Sequence, residues 1–378
     1  MQKPFYIIIL LLIFNSCKNQ QETKVEKVES INDSKIEYAK GFEISYYKGY
    51  KVITLKNAWP GAEKVFKYAL IEKGTVLDSP NDYDDIVTIP LKSIVVTSTT
   101  HIPSLEMLKV DESLIGFPNL DYISSEKTRN RINEGFIKEL GKNEDINTES
   151  LIDLSPDAVI GFAVDGNNKT FNTVKNTGIP VIYNGDWTET TPLGKAEWIK
   201  FFAAFYNKEE LANQLFSEIE TEYVKAKKLA LKASSTPTVL SGAMYKDIWY
   251  LPQGKSWAAQ FINDANGDYL WKDSEGTGSH SLNLESVLEK GEHAQIWIGP
   301  SYYTSLSQLK EAHSVYQQFD AFKNNQVYSF TNKIGETGGL LYYELAPNRP
   351  DIVLKDMIKI LHPELLPKHN LFFFDLLN

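Results

Sequence analysis

Two short stretches say nearly the same thing in the two halves of the chain. Asn147-Thr-Glu-Ser-Leu-Ile-Asp leads into the apolar run DAVIGF, and Asn283-Leu-Glu-Ser-Val-Leu-Glu leads into AQIWIG. In each, an Asn suited to cap a helix is followed two residues on by Glu and then Ser, a short amphipathic segment, and a strand-like run. A chain that repeats such a helix-to-strand step is constrained to build two units of similar construction. Its 378 residues suffice for two domains of ordinary size, each with its own core.

The texture between the repeats agrees. SIVVTST (93–99), LIGF (114–117), AVIGF (158–162) and IPVIY (179–183) alternate with segments of helical period, and the alternation resumes with TVLSGAMY (238–245), AQIWIG (294–299) and QVYSF (326–330). This is the pattern of βαβ units, so the expected class is α/β, two Rossmann-like lobes with parallel sheets. Residues 37–193 form the first lobe and 234–378 the second. Between them, 194–233 has apolar residues at spacings of three and four (Trp198, Phe202, Phe205, Leu211, Leu215, Ile219, Tyr223) amid Glu and Lys, which predicts one long helix joining the lobes, or two with a break near Asn207. Residues 37–90 read instead as a β-rich extension, with a Lys48-Gly49 hairpin turn inside EISYYKGYKVITL.

The first residues read as an export signal. Lys3 precedes an unbroken apolar run from Phe5 to Phe14, about half the length of a membrane span. The run ends at Asn15-Ser16-Cys17, where the only cysteine of the chain stands. Residues 1–17 look like the signal and lipobox of bacterial lipoproteins, in which Cys17 would become the lipidated N-terminus, and the polar tract that fills 18–36 suits a flexible tether. The protein is thus expected to be lipid-anchored to a membrane, facing the periplasm or the cell exterior.

With these features in place, the chain resembles the substrate-binding lipoproteins of ABC importers for iron chelates and vitamin B12, binding proteins in which a single rigid helix joins two lobes. The resemblance runs from about Ser93 to Pro363 and is most specific in IVVTSTTHIPSLEML, NTESLIDLSPDAVIGF, TPLGKAEWIKFFAAFY, VLSGAMYKDIWYLPQGKSWAAQFINDANGDYLW and RPDIVLKDMIKILHPELLP. It implies capture of a ferric siderophore, haem or cobalamin between the lobes by a monomer, delivery to an ABC permease with its ATPase, and no resident cofactor. It also implies that Glu149 and Glu285, one in each copy of the repeat, dock onto arginines of the permease. Each Glu equally suits the first turn of a capped helix, where it complements the macrodipole.

Ligand contacts are expected at the carboxyl ends of strands. In the first lobe the loop after SIVVTST offers Thr99, Thr100 and His101, which could as well cap the next helix. In the second, Tyr245, Trp249 and Trp257 form an aromatic cluster with a core reading and a cleft reading, and cleft placement is expected. The Gly-rich stretches 276–283 and 335–344 are expected cleft loops. Arg349 could grip an anionic ligand or form a structural ion pair. His101 and His280 meeting across the cleft would suit a bare metal ion, but two histidines fall short of a closed site, so a chelated metal is favoured.

Other classes find less support. A formal charge of −10, from 39 basic and 49 acidic residues, argues against nucleic acid. No GxSxG, P-loop or complete GxGxxG is present. The expectation is a binding protein and not an enzyme. The alternatives are a lipid-anchored metal-dependent hydrolase and a surface lipoprotein using 37–90 as an interaction module.

Overall fold

The computed structural model describes residues 35–378 apart from Glu144, together with the short strand Asn32–Asp33. Cys17 and nearly all of the tether lie outside the described residues. Among the described residues no helix is long and apolar enough to cross a membrane.

Two sheets carry the duplication. In the first, the strands run in the spatial order Val181–Tyr183, Ala158–Gly161, Ile94–Val96, Leu114–Phe117, Lys138–Glu139, all parallel. In the second the order is Asp268–Tyr269, Thr238–Ser241, Ile296–Ile298, Val327–Ser329, Asp375–Leu376, parallel except for the last pair. Taking the four main strands of each lobe in chain order, both sheets have the arrangement 2-1-3-4. Helices Thr148–Leu154 and Leu284–Gly291 precede the third strand in each, and their capping Asn147 and Asn283 accept from Ser150 N (3.0 Å) and Ser286 N (2.8 Å). The repeated motif therefore marks the same step of the same topology. The central strands are buried on both faces, as a sheet covered by helices on either side requires.

The joining segment differs from a single helix over 194–233. It consists of Pro192–Ala196, Ile199–Ala204 and the long helix Glu209–Ala230, interrupted where Asn207 takes a left-handed conformation at φ 53°. At 22 residues the last spans about 33 Å. Phe201 and Phe202 belong to the short middle helix and Phe205 caps its end; all three are buried in the core of the first lobe, which is why the apolar period runs across the break. The long helix is tied to the second lobe through Tyr223, which donates to Asp264 (2.7 Å), and through the Glu222 ion pair with Lys355 (2.7 Å).

The extension is a five-stranded sheet, Asn32–Asp33, Phe42–Tyr47, Tyr50–Leu55, Phe66–Glu72 and Asp85–Ile89, and Gly49 of the hairpin has φ 82° as such a turn demands. It shares the first lobe's core: Phe42 packs on Trp198 with ring centroids 4.6 Å apart. The buried carboxylate of Glu197 accepts the backbone N–H groups of Glu37, Tyr38 and Ala39, which pins the chain's entry into this sheet.

Candidate functional site

A cavity of about 570 Å³ opens between the lobes. Most of its walls stand at the carboxyl ends of parallel strands, with Tyr122 and Asn143 added from neighbouring turns. From the first lobe come Thr97 to Thr99 after Ile94–Val96, Phe117 and Pro118 after Leu114–Phe117, and Phe162 after Ala158–Gly161. From the second come Tyr302 and Thr304 after Ile296–Ile298, then Thr331 and the stretch around Ile334 to Tyr343 after Val327–Ser329. In an open α/β sheet the loops after the strands face the crevice, which is where a ligand is held.

Its chemistry is apolar with hydroxyls. Tyr122, Tyr302, Ile334 and Tyr343 are exposed by 63%, 75%, 57% and 49%, a concentration of large side chains in water that a protein core would normally absorb. Among the described residues no Lys, Arg, Asp or Glu lines the cavity.

The lobes are held together beside it. Glu344 of the second lobe accepts from Ser124 N (2.6 Å) and Ser125 N (2.9 Å) of the first. Thr337 donates to the Asp121 carbonyl (2.8 Å), and Asn348 donates to the Thr100 carbonyl (2.9 Å). Gly335 and Gly339 permit this approach, because a Cβ on them would come within 2.5 Å of Ser124 Cα and 2.2 Å of the Tyr122 carbonyl oxygen.

The residues singled out from sequence fall in several places. Thr99 lines the cavity. Thr100 does not; its hydroxyl donates to Asp186 (2.9 Å). His101 is fully buried against Phe202, and burial pushes its pKa down against the opposing pull of Asp186 and Asn184, so it is a core residue, with no hydrogen bond or ring contact to His280 among the described residues. His280 is half-buried on the antiparallel ribbon strand Ser279–Leu282. Among the described residues no group of three or more His, Cys, Asp or Glu could hold a metal ion.

Trp249, expected in the cleft, is 0% exposed; it stacks on Trp297 (5.5 Å), and its indole N–H donates to the Ser241 carbonyl (3.0 Å). The ribbon strand Ile248–Pro252 turns Trp249 inward and Tyr250 outward, and alternation alone could not say which face was covered. Tyr245 is 64% exposed, outside the cavity, under the Lys246 ammonium. Arg349 forms a bidentate pair with Asp351 (2.9 and 2.8 Å), which is the structural reading of that residue. Glu149 and Glu285 are both exposed in the first turns of their helices.

Trp257 lines a second, neighbouring cavity of about 490 Å³ together with Trp59, Trp187 and Lys195. Sequence reasoning passed over Phe117, Phe162, Tyr302 and Tyr343. The strand-end rule that pointed to Thr99 would have found the first three, applied to every strand of the two sheets rather than one.

The profile of the periplasmic binding protein family matches residues 94–334. An uncharacterized lipoprotein of Methanocaldococcus jannaschii is 31% identical over 298 residues, covering 76% of this chain and 69% of that one. Among solved structures, a possible iron-binding (periplasmic solute-binding) protein from Staphylococcus epidermidis superposes with a TM-score of 0.57 at 17% identity, over 72% of this chain and 100% of that one. A periplasmic haem-binding protein of Vibrio cholerae does so with a TM-score of 0.54 at 15% identity, over 70% and 99%. At these identities the structures attest the fold.

Proposed function

The chain belongs to the periplasmic binding protein family, a family of binding proteins and not of enzymes, and from that premise we propose that it captures a metal chelate between its lobes and delivers it to an ABC permease and its ATPase. The observation that carries this is the cavity at the strand ends, walled by both lobes, with large aromatic side chains left exposed around it. Such surface favours a ligand with a broad apolar face, and the threonine hydroxyls supply orientation. Ferric siderophores, haem and corrinoids share that description. The cargo surface seated here is uncharged, since a charge buried in this cavity would find no countercharge on its walls among the described residues. An uncharged ferric hydroxamate or a corrinoid therefore suits this cavity better than a bare anion does.

The remaining parts of the reading concern where the protein works. Cys17 carries lipid, 18–36 is a tether, the protein acts as a monomer, and Glu149 and Glu285 face the permease from equivalent helices of the two lobes. The test is direct: titrate the purified protein with a ferric hydroxamate, haem and cobalamin, following absorbance and tryptophan fluorescence. Saturable binding of at least one at micromolar concentration, weakened by Tyr343→Ala, is expected. Binding of none of them overturns the proposal.

A further inference from the structure

The β-rich extension lies outside residues 94–334 matched by the family profile, and only one face of its sheet is used for packing on the first lobe. Phe42, Ile44, Ile53 and Tyr68 point into that lobe's core. By alternation Ser45, Tyr47, Tyr50, Val52, Thr54 and Lys67 fall on the other face, where they line a further cavity of about 560 Å³ whose opposite wall is the loop 76–83. The loop is held at both ends. The Thr75 hydroxyl donates to the Gly49 carbonyl of the hairpin turn (3.0 Å), and Asp84 N donates to the Lys67 carbonyl (2.7 Å) while the Asp84 carboxylate accepts from Lys67 N (2.8 Å). The cavity is therefore preformed, and of a size that holds a small ligand.

Its walls combine aromatic rings with polar groups of both kinds. Tyr47 and Tyr50 stand opposite each other across the hairpin and stack, with centroids 4.7 Å apart and planes 11° from parallel. Tyr83 joins them from the loop; burial, and then Tyr50 beside it, push its pKa up to about 12, so it is a hydroxyl at neutral pH. Around the rings stand the hydroxyls of Ser45 and Thr54, the ammonium groups of Lys48 and Lys67, and the carboxylates of Asp78 and Asp82. Among the described residues none of these six side chains has a hydrogen-bond or ion-pair partner. Two cations against two anions leave the walls without net charge.

These walls select among ligands. An ion of either sign would meet like charges as well as opposite ones, with no net attraction. A planar apolar molecule would cover the phenols and strip water from the unpaired hydroxyls, ammonium groups and carboxylates without replacing it. A peptide could not extend the sheet here, because the middle strand Tyr50–Leu55 already pairs on both sides. What fits is a neutral molecule with apolar faces and an edge of hydroxyls that both donate and accept. We propose that the outer face of the extension binds a neutral saccharide, with a pyranose ring against Tyr47, Tyr50 and Tyr83 and its edge hydroxyls donating to Asp78 and Asp82 and accepting from Lys67. Strand Asn32–Asp33, within the tract expected to be the tether, pairs beside Ser45, so the site sits where the polysaccharide of a cell surface would reach it. The site is built from the extension alone and does not depend on the interlobe reading.

The probe is an array of neutral oligosaccharides of glucose, galactose and mannose, screened with the full protein free of chelate, with calorimetry on whichever saccharide binds. Saturable binding of at least one is expected. Tyr47→Ala should weaken it by about tenfold, the effect of losing a ring face. Asp82→Asn, at an exposed residue, should weaken it severalfold and keeps the test open if Tyr47→Ala loosens the hairpin. Chelate affinity should stay the same in both variants. No binding on the array, or saccharide binding untouched in both variants, overturns the site, and so does binding confined to a peptide array screened alongside. If chelates bind and saccharides do not, the site is refuted while the proposed function stands; if saccharides bind and chelates do not, the site stands and the cargo class is wrong.

Discussion

Across the interlobe crevice, Glu344 of the second lobe accepts a 2.6 Å hydrogen bond from the backbone N–H of Ser124 in the first, and a second from Ser125 at 2.9 Å. The carboxyl is 2% exposed and has no cationic partner among these contacts. Burial pushes its pKa up to about 7; the two N–H donors oppose this, and nearby Glu106 adds to it. The lobes are thus joined, beside the cavity, by a group that titrates near neutrality.

The sign follows from linkage. The docked pKa lies above the ordinary value of 4.5, so docking favours the protonated form. Its contribution is full below about 4.5 and is lost as pH rises through about 7, up to roughly 3 kcal/mol in all. Urea denaturation at pH 5 and pH 8 should show the wild type weaker at pH 8, and Glu344→Gln should flatten that difference. Parallel profiles for the two proteins would remove Glu344 from the account.

Trp249 and Tyr343 should behave as opposites. Trp249→Ala empties a core position packed on Trp297, Tyr316 and Phe319, and should cost about 3–5 kcal/mol of stability. Tyr343→Ala removes a side chain 49% exposed at the cavity mouth; it should cost less than about 1 kcal/mol of stability but weaken chelate binding by about 1–3 kcal/mol. Denaturation and ligand titration on both variants check the crossing, and a large affinity loss for a stable Trp249→Ala would restore that residue to the cleft.

This pair also shows how far the residues could be read unaided. The repeated Asn-x-Glu-Ser and the strand-like runs were enough for two lobes of the same topology, because topology follows from period and order. Which face of a strand is covered does not. Trp249 lies in a ribbon that turns inward onto Trp297, and Arg349 meets Asp351 two residues along, where a helix starts. His101 is likewise lost to the core because the helix it opens packs on Phe202. Thr99 was found because a strand-end position is a property of the chain's order; the interlobe contacts of Glu344 and the Trp59 wall depend on segments far apart in sequence, and no local pattern announces them.

Gly185→Ala tests whether the extension is rigidly seated. The added methyl would meet the Asn57 carbonyl oxygen at 2.0 Å, a backbone group with little room to move. A loss of roughly 1–3 kcal/mol is expected, read as a lower thermal midpoint. A variant as stable as the wild type would mean that the loop is free to shift.

The doubled motif leads to the last prediction. Glu149 and Glu285 occupy the same position of the same helix in each lobe, both exposed, two residues after an Asn that already caps its helix through Ser150 or Ser286. Capping is therefore done by the Asn, and the role proposed for the acids is to meet arginines on the two halves of a symmetric permease. Each exposed contact should contribute only about 0–1 kcal/mol alone, whereas two engaged at once act through effective concentration. Glu149→Ala or Glu285→Ala should weaken coupled uptake in part, and the double variant should nearly abolish it with ligand affinity unchanged. Loss of ligand binding in the double variant would place these residues in the crevice instead, and full uptake with lowered stability would return them to the role of helix-terminal charges. Charge-reversed permease arginines rescuing Glu149→Lys and Glu285→Lys is the outcome that a capping role does not produce.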